Sequence, residues 1–138
     1  MMTLQAEVLL PGRAVEATAL ALTAPISFWG GVDPKNATIS DARHPEFGRE
    51  IAGRVLLVPE TVGSSSAAAI LLELVHAGRS PAALILHEPD AILLLGLIVA
   101  KEMGWETPIA LRLDRDRYAQ LNGVVLQVSE TGEVRSRP

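Results

Sequence analysis

The chain has no cysteine among its 138 residues and few aromatics: two tryptophans, two phenylalanines and one tyrosine. Without thiols there is neither a disulfide framework nor a thiolate ligand, and His44, His76 and His87 are not spaced like a metal site. Any metal chemistry must therefore be borrowed from another chain. Positive charge is also scarce. The net charge is -4, and the arginines are scattered instead of forming a basic stripe, which argues against binding to a phosphate backbone. Nucleic acid is not an expected partner. Long hydrophobic runs are missing too: the longest, Ala91 to Ala100, is too short to span a bilayer. The N-terminus has no basic region followed by an apolar core and a cleavage site, so a soluble, cytoplasmic protein is expected.

What is present is enough apolar sequence, 49% of the residues, to bury one real core, so residues 1–138 are expected to form a single domain. Leu4 to Leu10, Val15 to Leu22 and Ile26 to Trp29 read as short extended runs separated by proline and glycine. The second half changes period. Arg54 to Val58, Ala82 to His87 and Ile109 to Leu113 are strand-length apolar runs, each followed by a helix signal: the serine cluster at 64–66, Asp90 and Asp114. Gly78 and Gly104 stand where left-handed caps would end the first two helices. Val124 to Val128 and Val134 to Ser136 flank a turn and predict a closing hairpin. The expected class is α/β, with a β-rich N-terminal half packed on a small parallel sheet whose other face carries helices.

Three segments carry candidate chemistry. Val62-Gly63-Ser64-Ser65-Ser66-Ala67 sets three hydroxyls where an apolar strand gives way to a helix. The free amides of a first helical turn can cradle a carboxylate or phosphate, and glycine allows the sharp entry. The plainer reading is a serine N-cap. Ile26-Ser27-Phe28-Trp29-Gly30-Gly31-Val32-Asp33-Pro34 concentrates aromatics and glycines in a shaped loop that suits a ligand or a partner. Against this, Phe28 and Trp29 could simply pin the chain into the core, and Asp33 reads better as a turn residue than as an acid. Asp41-Ala42-Arg43-His44-Pro45-Glu46 offers a guanidinium and an imidazole for a substrate carboxylate or a subunit contact, or else is a solvated turn.

Taken in order, Ile26 through Pro34, Asp41 through Pro45, Gly48, Gly53, Gly63-Ser64-Ser65 and Gly78-Arg79-Ser80-Pro81 resemble the small subunit of aconitase X. The likeness runs over nearly the whole chain, and Phe28 to Asp33 is its most specific part. The resemblance implies a swivelling β/β/α fold and a dehydratase active only with a large subunit. That partner would hold iron or an iron-sulfur cluster, with the active site shared between the two chains. It implies that Ser64 is the base that removes a proton beside a substrate carboxylate. Ser65 and Gly63 would help hold that carboxylate or the developing enolate oxygen. Arg43 and His44 are expected at the substrate, and Phe28, Trp29, Gly30, Gly31 and Asp33 at the partner or substrate loop. In aconitase proper an arginine follows the paired serines; Ser66 and Ala67 stand here, so a substrate-binding cation must come from elsewhere. The family's bacterial branch implies cis-3-hydroxy-L-proline as substrate and its archaeal branch phosphomevalonate; ten arginines against two lysines favour the bacterial one. A non-catalytic swivelling module is the alternative from another class. Phosphohistidine carriers of this fold need a histidine where serines stand here.

Overall fold

The computed structural model describes residues 2–137. Strands β1 (Thr3–Gln5), β2 (Glu7–Leu10) and β3 (Val15–Ala21) come first. A long excursion follows, with a single broken turn α1 (Phe28–Gly31) and the two-residue strands β4 (Val32–Asp33) and β5 (Thr38–Ile39). The second half runs β6 (Val55–Val58), α2 (Ala67–His76), β7 (Ala83–Leu86), α3 (Ala91–Glu102) and β8 (Ile109–Arg112). A 3-10 turn at Arg115–Arg117, α4 (Tyr118–Leu121) and the hairpin β9 (Val125–Val128) and β10 (Glu133–Ser136) complete it. None of the described helices is long and apolar enough to cross a membrane.

The eight strands of the main sheet lie in the order β1-β10-β9-β3-β6-β7-β8-β2. β3, β6, β7 and β8 are mutually parallel, and the remaining pairings are antiparallel. The N-terminal strands thus join the parallel strands edge to edge. β1 and β2 are separated only by Ala6, yet they pair with opposite ends of the sheet, β10 and β8. Ala6 donates its N–H to Gly132 O at 2.8 Å, so the sheet wraps round and closes. Residues 2 and 136 lie side by side, with Met2 N–H on Ser136 Oγ at 2.7 Å and Ser136 N–H on Met2 O at 2.8 Å.

Strand alternation divides the apolar side chains between two cores. Val55 and Leu57, Ala83 and Ile85, Ile109 and Leu111 point inside the closed sheet, with Leu126, Val128 and Val134. Leu56, Val58, Leu84 and Leu86 point the other way, onto Leu71 and Leu74 of α2 and Leu93 and Leu97 of α3. This explains why the central strands read as unbroken apolar runs: both faces are covered. Fully burying each such leucine contributes roughly 1.5–3 kcal/mol. The excursion after β3 adds Ile26, Phe28, Val32, Ile39 and Ile51 to the helix-side core.

Ile26 to Trp29 does not form the expected extended run. Ile26 makes one parallel bridge to Thr61, and the chain then turns, because Gly30 adopts φ 83° and Phe28 folds inward. The capping expectations hold at Asp90, which accepts from Ile92 N–H and Leu93 N–H, and at Asp114, which accepts from Asp116 N–H. α2 differs, since Ser66 precedes it without a side-chain cap.

α2 and α3 pack closely because Gly96 has no side chain: a Cβ there would run into Ala68 O. Gly96→Ala is expected to cost roughly 1–3 kcal/mol by overpacking, read by chemical denaturation; unchanged stability would mean the helices part freely. Tyr118 lies inside the closed sheet and donates its hydroxyl to Leu113 O at 3.0 Å. Burial raises its ionisation well above the usual tyrosine range. In the unfolded chain the phenol ionises near pH 10, so the folded state holds a proton that the unfolded state loses. Stability is therefore expected to fall as pH rises above about 10. Tyr118→Phe should flatten that alkaline decline in a denaturation series.

Candidate functional site

The candidate site stands beyond the C-terminal ends of the parallel strands, where α/β folds commonly bind ligands. Beyond Val58 the chain leaves the sheet. Ile26 donates its N–H to Glu60 O at 3.1 Å and accepts from Val62 N–H at 2.9 Å, which ties the aromatic loop to the serine turn. Thr61 Oγ1 donates to Asp90 Oδ2 at 2.7 Å, while Asp90 Oδ1 caps α3. One carboxylate thereby fixes the turn to the start of the next helix.

Within the turn, Ser64 Oγ accepts the Ser66 N–H at 3.2 Å and Ser64 O accepts the Ala67 N–H at 3.0 Å. Ser64 is half-buried, while Val62, Gly63 and Ser65 are exposed. The Ser64 hydroxyl is consequently oriented by a backbone amide, and that contact favours its ionised form. The turn faces outward, and a substrate there would need a second surface to enclose it.

The 41–48 loop is anchored nearby, but not through the chemistry expected for it. Glu46 accepts Thr23 N–H at 2.7 Å and the Thr23 hydroxyl at 2.8 Å. His44 is buried, with Nδ1 accepting Glu46 N–H at 3.1 Å; Nε2, 3.2 Å from Ala24 O, therefore carries the proton and donates it. Both ring nitrogens are engaged inside the fold, which corrects the expectation of His44 as a substrate ligand. It is a tether. Arg43 differs: its side chain is 95% exposed, with only a 3.7 Å approach to Asp41.

Phe28 also departs from expectation. It is 1% exposed and belongs to the core, whereas Trp29 is 57% exposed and stands out from the surface. Asp33 accepts Lys35 N–H at 2.8 Å and the Asn36 amide at 3.0 Å, as its turn reading requires. Ser40 closes the loop by donating its hydroxyl to Gly30 O at 3.1 Å and its N–H to Gly31 O at 2.9 Å. The structure thus gathers Ser64, Ser65, Gly63, Trp29 and Gly30 around one edge and leaves Phe28, Asp33 and His44 as scaffolding. Sequence reasoning missed Thr61 and Glu46. A hydroxyl or carboxylate beside a strand end carries no periodic signal, although Asp90 was visible as a cap.

Further along the edge, Arg112 Nε donates to His87 O at 2.8 Å, and His87 Nδ1 accepts Arg115 N–H at 3.0 Å. The Asp116 N–H, together with the Arg112 and Arg115 charges, holds the Asp114 carboxyl below its ordinary range. At the opposite edge, a groove of about 440 Å³ is lined by His76, Pro81, Trp105 and Pro108, remote from the serine turn. Its His76 and Trp105 rings stack at 4.4 Å. Among the described residues no group of three or more histidine, aspartate or glutamate side chains could hold a metal ion, and the chain has no thiol. Its donors do not fit an iron centre.

Fold and topology together define a swivel-type α/β domain. Residues 3–135 match the aconitase X swivel domain, and the chain belongs to that family. It is 52% identical over 86 residues to a cis-3-hydroxy-L-proline dehydratase of Pseudomonas aeruginosa, a match covering 62% of this chain and 15% of that protein. A cis-3-hydroxy-L-proline dehydratase of Hypocrea jecorina is 35% identical over 121 residues, 82% of this chain and 20% of the relative. The chain thus spans a fifth or less of the length of these two proteins. A phosphomevalonate dehydratase small subunit of Methanopyrus kandleri is 33% identical over 121 residues, covering 87% of this chain and 86% of that one. Among solved structures, aconitase X of Thermococcus kodakaraensis in its holo-form superposes with a TM-score of 0.85 at 26% identity, over 100% of both chains.

The tether and the exposed guanidinium separate cleanly by mutation. His44→Ala leaves a part-buried N–H and C=O unpaired and a hole where the ring was, and should cost about 1–3 kcal/mol. Arg43→Ala should stay within about 0.5 kcal/mol of wild type. Equilibrium denaturation distinguishes them, and equal losses would contradict the assignment.

Proposed function

We propose that this chain is the small swivelling subunit of a heteromeric dehydratase and supplies Ser64 as the base of a site completed by a large subunit. The observation that carries this reading is the Ser64 hydroxyl, held by the Ser66 amide at 3.2 Å on an outward-facing turn at the head of α2. Residues 1–138 act in this reading as one swivelling unit.

A serine hydroxyl ionises well above even the tyrosine value of about 10, so the shift needed decides what else the site requires. A charge-assisted hydrogen bond from one amide contributes roughly 1.5–3 kcal/mol and the helix terminus roughly 0.3–1 kcal/mol. Together that is about one to three pKa units, short of what neutral pH demands. The remaining positive field must come from the facing subunit, which agrees with a turn that is open on its outer side. Ser64 then takes the proton from the carbon bearing the substrate carboxylate. The hydroxyl on the neighbouring carbon leaves as water, and the enamine formed from a hydroxyproline tautomerises to a pyrroline carboxylate. Ser65 and Gly63, both exposed beside Ser64, hold the carboxylate, and the exposed Arg43 is the cation this chain offers it. Iron or an iron-sulfur cluster belongs to the large subunit, and no step on this chain runs through it.

The 52% identity with the Pseudomonas aeruginosa enzyme favours cis-3-hydroxy-L-proline as substrate. The near full-length match to the Methanopyrus kandleri small subunit supports the second reading, phosphomevalonate. Turnover of each compound by the reconstituted pair decides between them. In that assay Ser64→Ala should lower kcat by about 10²–10⁴-fold while the two subunits still co-elute. Undiminished turnover would remove Ser64 from the role of base.

A further inference from the structure

Helix α3 is apolar on every side. From Ala91 to Ala100 it has no charged or hydrogen-bonding side chain. Only one face serves the fold: Leu93, Leu94, Gly96, Leu97 and Ala100 are buried. On the outer face Ile92, Leu95, Ile98 and Val99 are 50%, 51%, 43% and 38% exposed, and Met103 just beyond is 56% exposed. A surface helix normally turns polar residues outward, as α2 does with Glu73 and His76. Positions 92, 95 and 99, with 98 between, form one stripe along a helix of 12 residues, about 18 Å long. Exposed apolar surface of this extent marks an interaction site.

Its position says what covers it. The stripe begins at Ile92, whose N–H is capped by Asp90, the same carboxylate that holds Thr61 three residues before Ser64. Val62, on the same turn, is itself 52% exposed. A surface that closes over the serine turn therefore meets the stripe at its first residue. In the two cis-3-hydroxy-L-proline dehydratases the matching region is 15% and 20% of a longer polypeptide, so there the domain is not free-standing. We infer that the outer face of α3, through Ile92, Leu95, Ile98, Val99 and Met103, is the docking surface for the large subunit. This rests on the proposed function. A second copy on the same stripe would form a two-fold contact starting at the rim of the serine turn, and would crowd the space that the large subunit has to fill.

The test is Leu95→Asp combined with Ile98→Asp, co-expressed with the host's aconitase X large subunit and followed by light scattering and binding titration. Wild type should form a one-to-one complex, and the double variant should bind roughly ten-fold or more weakly. The isolated variant should unfold at the wild-type temperature, and Glu130→Lys, on the distant hairpin turn, should bind as wild type does. If the double variant fails to fold, Leu95→Ser alone is read in the same way. Wild-type affinity in the folded variant would overturn the docking surface while leaving the Ser64 reading intact, because the complex still forms. A wild-type chain that does not bind the large subunit would remove the proposed function and this inference together. An isolated dimer made monomeric by the variant, with large-subunit binding unchanged, would assign the stripe to a second copy.

Discussion

The closing of the sheet by one extended segment is the constraint on which the rest of the structure depends. Residues 3–10 hydrogen-bond to β10 on one side and to β8 on the other, changing partner at Ala6. Neither end of the sheet is left as an open ladder. The inside becomes a sealed apolar core, and the outside of the parallel strands is free to carry α2 and α3. Gly132, with φ 90°, makes the crossing possible, because a side chain there would meet the Ala6 carbonyl. The parallel strands are held in place by this closure, and beyond the end of β6 they carry the serine turn and the aromatic loop tied to it.

Around these loops, side chains that look chemical from the sequence are mostly spent on backbone. Glu46, His44, Asp90 and Thr61 each bind a main-chain group or one another, and together they fix loops that have no ladder of their own. What stands outward is the exposed Ser65 beside the half-buried Ser64, together with the Arg43 guanidinium and the Trp29 ring. A rigid frame with few committed groups on its surface is what the proposed shared site requires of this chain.

Much of this was legible in the sequence. Three of the four parallel strands, β6, β7 and β8, showed as unbroken apolar runs because both faces are buried, and Asp90 and Asp114 announced their helices by capping them. The serine turn, the closing hairpin and the glycines at 78 and 104 were also readable, since each depends on local backbone chemistry. The 22–54 excursion was not. Its order comes from Phe28, Ile39 and Ile51 entering a distant core and from Glu46 reaching back to Thr23, contacts without period or fixed spacing. For the same reason His44 read as a ligand, since burial and two backbone partners arise only from the tertiary fold. Closure of the sheet was hidden as well, because Leu4 to Leu10 reads as one strand whether it has one partner strand or two.

The pairing of β1 with β10 has a consequence for how such a domain travels among proteins. Met2 and Ser136 exchange hydrogen bonds, so the chain enters and leaves the fold at a single point. A unit with adjoining ends can be joined to a longer polypeptide, or exist apart from it, without disturbing a strand. That geometry makes it a cassette, equally at home as a separate small subunit in one lineage and as a segment of a much longer enzyme in another.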